Sequence, residues 1–301
     1  MRRWIKAIRA PFFTASLVPV VVGTSLAYLH TGTVNLVYAL LCLTGLISLH
    51  ASVNLLNDYG DHITGNDWYN KNISPFNAGS RSIQNGELTP REVLIGGIIT
   101  LILGSLAGLY LNYVSHGNVI LILGLIGVFS VLFYTLGPLR LGYRGVGELM
   151  VGVNFGILSV LGAYYLQANK ITLPAILAGI PVALLITAVL YINEFPDHYA
   201  DKMADKRTLI VILGPDKARV GFYIIIIGTY VSIFLPAILG EFTTLSLISL
   251  ITIPLAIKIT LHLRRYYDKF PDIIPANART VQLHLITGLL LGLSFITTRL
   301  L

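Results

Sequence analysis

The sequence predicts an all-α polytopic membrane protein of about nine helices, forming one domain over residues 1–301. Three observations carry that prediction. First, 55% of the residues are hydrophobic and only 12% are charged, about half the charged share of a soluble domain. Second, the apolar residues fall in blocks that meet the roughly 20-residue length a bilayer-spanning helix needs. Third, the connections between blocks alternate between short and long, and the charges follow that alternation.

The spans run over about 11–30, 34–57, 93–113, 118–137, 145–166, 172–194, 219–240, 243–263 and 282–299. The basic start, Met1 to Arg9, has the look of a signal peptide's charged end. The apolar run behind it is too long for one, and no clear small-residue cleavage site follows. It reads as the approach to a first membrane helix. The connections near 31–33, 114–117, 168–171 and 241–242 are very short, whereas 58–92, 138–144, 195–218 and 264–281 are mostly long and polar. Of 21 Lys and Arg residues, all but Lys170 and Arg299 lie on the side of the long loops and the N-terminus. The positive-inside rule makes that side cytoplasmic; the plasma membrane is the expected location.

The net charge of +7 therefore belongs to topology and anionic lipid rather than to nucleic acid. The single cysteine, Cys42, excludes a disulfide framework and a Cys-based zinc site. The many glycines inside the spans, such as Gly96, Gly97, Gly104 and Gly108, read as close helix contacts. No obligate protein partner is inferred.

Acidic residues contribute little to topology, yet of 14 carboxylates only Glu241 leaves the long-loop side. Their clustering calls for a function on that face. A short repeat organises them. Asn57-Asp58-Tyr59-Gly60-Asp61-His62 matches Asn193-Glu194-Phe195-Pro196-Asp197-His198 in the order Asn, acid, aromatic, any residue, Asp, His. Each closes a span, the second and the sixth, so both emerge on one side. A four-helix unit used twice, roughly 11–137 and 145–263, would place them face to face across a central cavity.

At 3.6 residues per turn, His50, Asn54, Asn57 and Asp61 share one helix face, and Asp67 follows in the same segment. Asn193, Asp197, Asp201 and Asp205 form one stripe if their helix continues, with a kink expected at Pro196. Such acids repel one another and need a positive partner. A magnesium ion, Mg2+, suits carboxylate and amide oxygens that share a site with phosphate. The cations Arg81, Arg140, Lys202, Lys206 and Arg207 accompany the acids and could hold a diphosphate. His62 and His198 read as supports for the neighbouring aspartates, and His50 and His284 as polar packing within spans. Aromatic residues such as Tyr110, Phe133, Tyr134, Tyr164, Tyr165 and Tyr191 could line a cavity and face a carbocation; Tyr134 joins the substrate-binding candidates. A transporter would also combine intramembrane acids with a repeat. It would need polar groups at mid-depth or on both faces, and here they gather at one.

These residues resemble the UbiA superfamily of membrane prenyltransferases over nearly the whole chain. NLLNDYGDHITGND is similar to the first aspartate motif of that superfamily, and NEFPDHYADKMADKRTLIVILG to the second. The Asn-Asp-Tyr-x-Asp…Gly-x-Asp form, the segment NAGSRSIQNGELTPREV and the segment GPLRLGYRGVGELMVGVNFGILSVLGAYYLQ most resemble the branch that prenylates 1,4-dihydroxy-2-naphthoate.

The resemblance implies nine helices around a cavity open sideways to membrane lipid, under a cytoplasmic cap. It implies that Asn57, Asp61, Asp197 and Asp201 carry catalysis by holding Mg2+ and an isoprenyl diphosphate, with Asp67 as a further metal ligand. Asp58, Arg81, Arg140, Asn193, Lys202 and Tyr134 are then the substrate-binding candidates. The implied reaction is dissociative transfer of the prenyl chain to an electron-rich aromatic or lipid acceptor. Dihydroxynaphthoate, leading to menaquinone, is the expected acceptor; 4-hydroxybenzoate and geranylgeranylglyceryl phosphate are the alternatives. Two departures stand out: Gly65 replaces a third Asp of the widespread first motif, and Asp205 stands where the naphthoate branch often has Gly.

Overall fold

The computed structural model describes residues 1–301. It is helical throughout, with a lone two-residue bridge between Ser74 and Asn77 as its only β pairing. Eight helices are long and apolar enough to cross a membrane: α1 (Ala10–Thr31), α2 (Leu36–Thr64), α3 (Pro90–Val114), α5 (Gly147–Ala168), α6 (Leu173–Met203), α7 (Pro215–Ile238), α8 (Thr244–Tyr266) and α9 (Ile274–Leu300). A shorter apolar helix, α4 (Val119–Thr135), is the remaining member of the expected nine.

Each predicted span falls on one of these helices, and the helices that carry the motifs run further than their apolar stretches. α2 continues past residue 57 to Thr64 and stops at Gly65, and α6 continues past residue 194 to Met203. The reason lies in the polar residues themselves. Their three- and four-residue spacing keeps them on one face, so the helix can leave the apolar zone with that face turned inward. α6 also runs through Pro196 as continuous helix. Proline cannot donate to the carbonyl four residues before it; that carbonyl, on Ile192, instead accepts from Asn277 Nδ2 of α9 at 3.1 Å.

α1 packs against α2, α5, α6 and α9, and α9 also rests on α6 and α8. Two large apolar clusters weld this arrangement. One joins α6, α7, α8 and α9 around Tyr191, Phe222, Ile259 and Leu283. The other joins α1, α5, α6 and α9 around Leu26, Tyr164, Val182 and Phe295. The outward faces of α3, α4 and α7 stay rich in exposed Ile and Leu, as expected for helices against lipid. The middle of α5, Gly152–Leu158, widens into a π-helix. A Cβ on Gly156 would lie 2.3 Å from Ala183 Cα, so only glycine lets α5 approach α6 this closely. That contact fixes the wall of the cavity on which the second acidic motif stands.

Candidate active site

α1, α2, α5 and α6 enclose a chamber of about 580 Å3 at the long-loop end of the bundle. His50, Asn54, Asn57 and Asp61 of α2 line it, facing Asn193, Glu194, Asp197 and Asp201 of α6. The two motifs thus oppose each other, joined by Asn66 Nδ2 donating to Asp201 Oδ1 at 2.8 Å. A smaller apolar chamber, about 160 Å3, continues toward the short-loop end between α2, α3, α4 and α5. His50, Val53, Tyr134, Val151 and Phe155 belong to both walls. The two chambers therefore adjoin across these residues, a charged mouth against an apolar interior.

Segment 70–85 folds over the mouth, and hydrogen bonds to the motifs hold it there. Asn70 Nδ2 and Asn77 Nδ2 donate to Asp197 Oδ1 at 2.5 and 2.7 Å, and the Ala78 amide donates to Asp197 Oδ2 at 3.3 Å. Asn72 Nδ2 donates to the Pro196 carbonyl at 2.9 Å. At Gly79 the backbone has φ +68°, and a Cβ would lie 3.1 Å from an Asp58 oxygen and 3.2 Å from one of Asp67. Both the conformation and the space call for glycine.

The cations are arranged unequally. Arg9, just ahead of α1, forms a partly buried ion pair with the buried Asp58 and reaches Asn57 Oδ1 at 3.2 Å. Ser80 donates to the same Asp58 carboxylate through its hydroxyl and, at 3.3 Å, its amide. Arg81 lines the chamber, donates to the Asp67 carbonyl, and keeps a buried Nε without a partner. Lys206 Nζ stands between the motifs, 3.3 Å from Asp61 Oδ2 and 3.7 Å from Asp201 Oδ1. Burial would lower its pKa, but Asp61 and Asp201 hold it well above the ordinary lysine value. Burial pushes the Asp67 carboxyl up to about 8, with Asp61 and Asp58 adding to the effect against Arg9 and Lys206. Tyr143 donates to Asp61 Oδ1 at 2.5 Å.

Asn57, Asp61, Asp67, Arg81, Tyr134, Asn193, Asp197 and Asp201 all line the chamber. Asp58 lies behind this wall, held by Arg9 and Ser80. Lys202 and Arg140 are exposed and lie outside the lining. Lys202 follows Asp201 on the helix, so its side chain is turned about 100° away from the stripe. Asp205 also leaves the stripe, because α6 ends at Met203; it takes φ +52° and pairs with Arg207 in the open.

Sequence reasoning missed Arg9, which reads as one more topology charge, and Asn66, Asn70 and Asn77, ordinary loop residues until the segment folds back. It also passed over Glu148 of α5, which sits next to Glu194.

The two acidic motifs face the chamber with oxygen donors, from carboxylates and amides, which suit a hard divalent cation. No three acidic or imidazole side chains already converge on one point, since Lys206 stands between the two motifs.

Known proteins resemble this chain along most of its length. The chain is 34% identical over 292 residues to the 1,4-dihydroxy-2-naphthoate octaprenyltransferase of Escherichia coli (strain K12), covering 95% of this chain and 92% of that one. It is 29% identical over 290 residues to UbiA prenyltransferase domain-containing protein 1 of Xenopus tropicalis, covering 95% and 79%. A solved UbiA homolog from Archaeoglobus fulgidus, bound to GPP and Mg2+, superposes with a TM-score of 0.69 at 18% identity, covering 98% of this chain and 99% of that one. The UbiA prenyltransferase family model matches residues 16–273. The chain is an integral membrane protein and belongs to the UbiA prenyltransferase family.

Proposed function

We propose that this enzyme transfers a prenyl chain from an isoprenyl diphosphate to 1,4-dihydroxy-2-naphthoate, forming a menaquinone precursor, with the chamber mouth on the cytoplasmic side of the plasma membrane. The observation that carries this reading is the two-part cavity. Its mouth presents oxygen ligands with Arg81 and Lys206, and its interior is apolar. A prenyl diphosphate has that same division between a charged head and an apolar tail. The likeness to the Escherichia coli naphthoate enzyme supports the choice of acceptor.

Asn57, Asp61, Asp67, Asp197 and Asp201 would hold Mg2+, which supplies positive charge where the diphosphate develops negative charge. Arg81 and Lys206 orient the same group and stabilise it as the carbon–oxygen bond lengthens. Asp58, fixed by Arg9, keeps Ser80 and the following Arg81 in place. Asn193 supports the second motif beneath Asp197. Tyr134, Val151 and Phe155 exclude water from the allylic carbon, so the cation meets the acceptor before it meets hydroxide. An electron-rich hydroquinone ring then attacks.

The test offers dihydroxynaphthoate, 4-hydroxybenzoate and geranylgeranylglyceryl phosphate together to the purified protein with one labelled prenyl diphosphate and Mg2+. The expected product is the prenylated naphthoquinol. Product from another acceptor and none from naphthoate would replace the acceptor. Topology is checked separately by cysteine labelling from outside the cell. Probes near Lys170 or Glu241 are expected to react, whereas probes near Asn72, Lys206 or Asp268 stay protected.

A further inference from the structure

Glu194 lines the chamber, but its side chain forms no ion pair and no hydrogen bond there. It is 7% exposed, and its Oε2 has no hydrogen-bond partner. Behind it lies Glu148 of α5, 1% exposed, whose Oε1 accepts from the Leu209 amide at 2.6 Å and whose Oε2 is likewise unpartnered. The two carboxyl groups stand next to each other. Such a pair contributes little to folding. A buried polar oxygen without a partner destabilises the fold, so a use in the chamber is the better account of these two.

The position is informative. Glu194 precedes Asp197 by three residues, so it lies about 4.5 Å deeper along the helix at 1.5 Å per residue. That is the depth just below a diphosphate seated at the mouth, where the first carbon of the prenyl chain and the attacking ring would meet. We propose that Glu194, backed by Glu148, is a catalytic residue that accepts the hydroxyl proton of the acceptor. This inference rests on the reading of the protein as a transferase to a hydroxylated acceptor.

The step balances without another reagent. The acceptor O–H proton passes to Glu194. The ring carbon bearing the carboxylate forms its bond to the first prenyl carbon, and the bond from that carbon to the diphosphate oxygen breaks with its electron pair. The ring is left as a β-keto carboxylate. Loss of CO2 gives an enolate, and Glu194 returns the proton to its oxygen, restoring the hydroquinone. Glu194 therefore holds the proton for part of the cycle and ends as it began.

The experiment compares the wild type with Glu194→Gln, Glu194→Asp and Glu148→Gln. It measures kcat, KM for both substrates and the pH profile with dihydroxynaphthoate, and calorimetric binding of a non-transferable prenyl thiodiphosphate. Glu194→Gln is expected to bind the thiodiphosphate as the wild type does and to lose on the order of 100-fold or more in kcat, in the range of general-base catalysis. The acidic limb of its pH profile should disappear. Glu194→Asp should recover part of the rate, and Glu148→Gln should shift the limb with a smaller loss. The groups that could otherwise generate such a limb around Glu194 are Glu148, Asp201, Lys206, Tyr134 and Tyr191.

Wild-type kcat and pH profile in Glu194→Gln overturn the proposal. So does loss of thiodiphosphate binding in that variant, which would move Glu194 to the diphosphate site. If the wild type prenylates geranylgeranylglyceryl phosphate and not naphthoate, the acceptor reading fails on its own. The same comparison is then run on that alcohol, whose hydroxyl must also lose its proton, and an unchanged rate in Glu194→Gln overturns the inference. A wild type that prenylates no hydroxylated acceptor overturns both.

Discussion

The two motifs repeat one sequence pattern and solve its electrostatics in opposite ways. In the first, the acid after the asparagine is Asp58, and it is closed off by Arg9 and Ser80. In the second, the matching acid is Glu194, and it meets another carboxyl, Glu148. The aspartate three places later differs as well. Asp61 faces Lys206 and Tyr143, whereas Asp197 accepts from three donors of the overlying loop. The difference arises from what each helix is packed against. α2 has the N-terminal segment beside it, and α6 has α5. A local pattern therefore specifies which side chains face the chamber, but the neighbouring element specifies their charge state and availability.

The largest effect should come where the two motifs are alike. Asp61→Asn and Asp197→Asn are each expected to lower transfer by about 1,000-fold or more, the scale of losing a group that stabilises transition-state charge, while the protein stays folded in detergent. Near-normal turnover in either variant would break the two-motif site.

The next effect should come where they differ. Arg9→Ala leaves the buried Asp58 with only its Ser80 donors; losing one partner costs about 3–5 kcal/mol in a fully buried pair and less in this partly exposed one. A marked fall in thermal midpoint is expected, and Asp58→Asn should also destabilise. The double variant should lose less than the sum of the two, as for contacting residues. Glu194→Gln should leave the midpoint unchanged or raise it, because it removes a carboxyl from a pair of like groups. Equal destabilisation by Asp58→Asn and Glu194→Gln would erase the contrast.

The smallest effect is expected at Asp205. Its ion pair with Arg207 is exposed, at 83% and 68% of the two side chains, and such pairs contribute about 0–1 kcal/mol. Its φ of +52° is one that glycine adopts without strain. Asp205→Gly should keep turnover within about twofold and stability within about 0.5 kcal/mol. A loss comparable to that of Asp197→Asn would return Asp205 to the site.

The membrane helices were legible because their signal is long and one-dimensional: block length, loop alternation and the side on which lysine and arginine lie. The inward faces of α2 and α6 were legible for a related reason, since three- and four-residue spacing survives past the apolar stretch. Asp205 escaped because a stripe is meaningful only while the helix lasts, and nothing local announces its end at Met203. Lys202 escaped because adjacency in sequence is a turn of about 100° in space. Arg9, Asn70 and Asn77 became visible only with tertiary structure. Each is an ordinary residue for its position, and its partner lies tens of residues away. Glu148 belongs with them: a single acid at the start of a helix carries no mark of the carboxyl it will meet.

Both oxygens of Asp197 already accept hydrogen bonds from the segment that folds over the chamber. An ion or substrate that draws on those oxygens takes them from Asn70, Asn77 and Ala78, so loading the chamber and loosening its cover become a single equilibrium. Linkage then runs both ways: whatever stiffens the cover weakens loading by the same factor. A loop substitution several residues from any reacting atom would thereby set how long product stays inside.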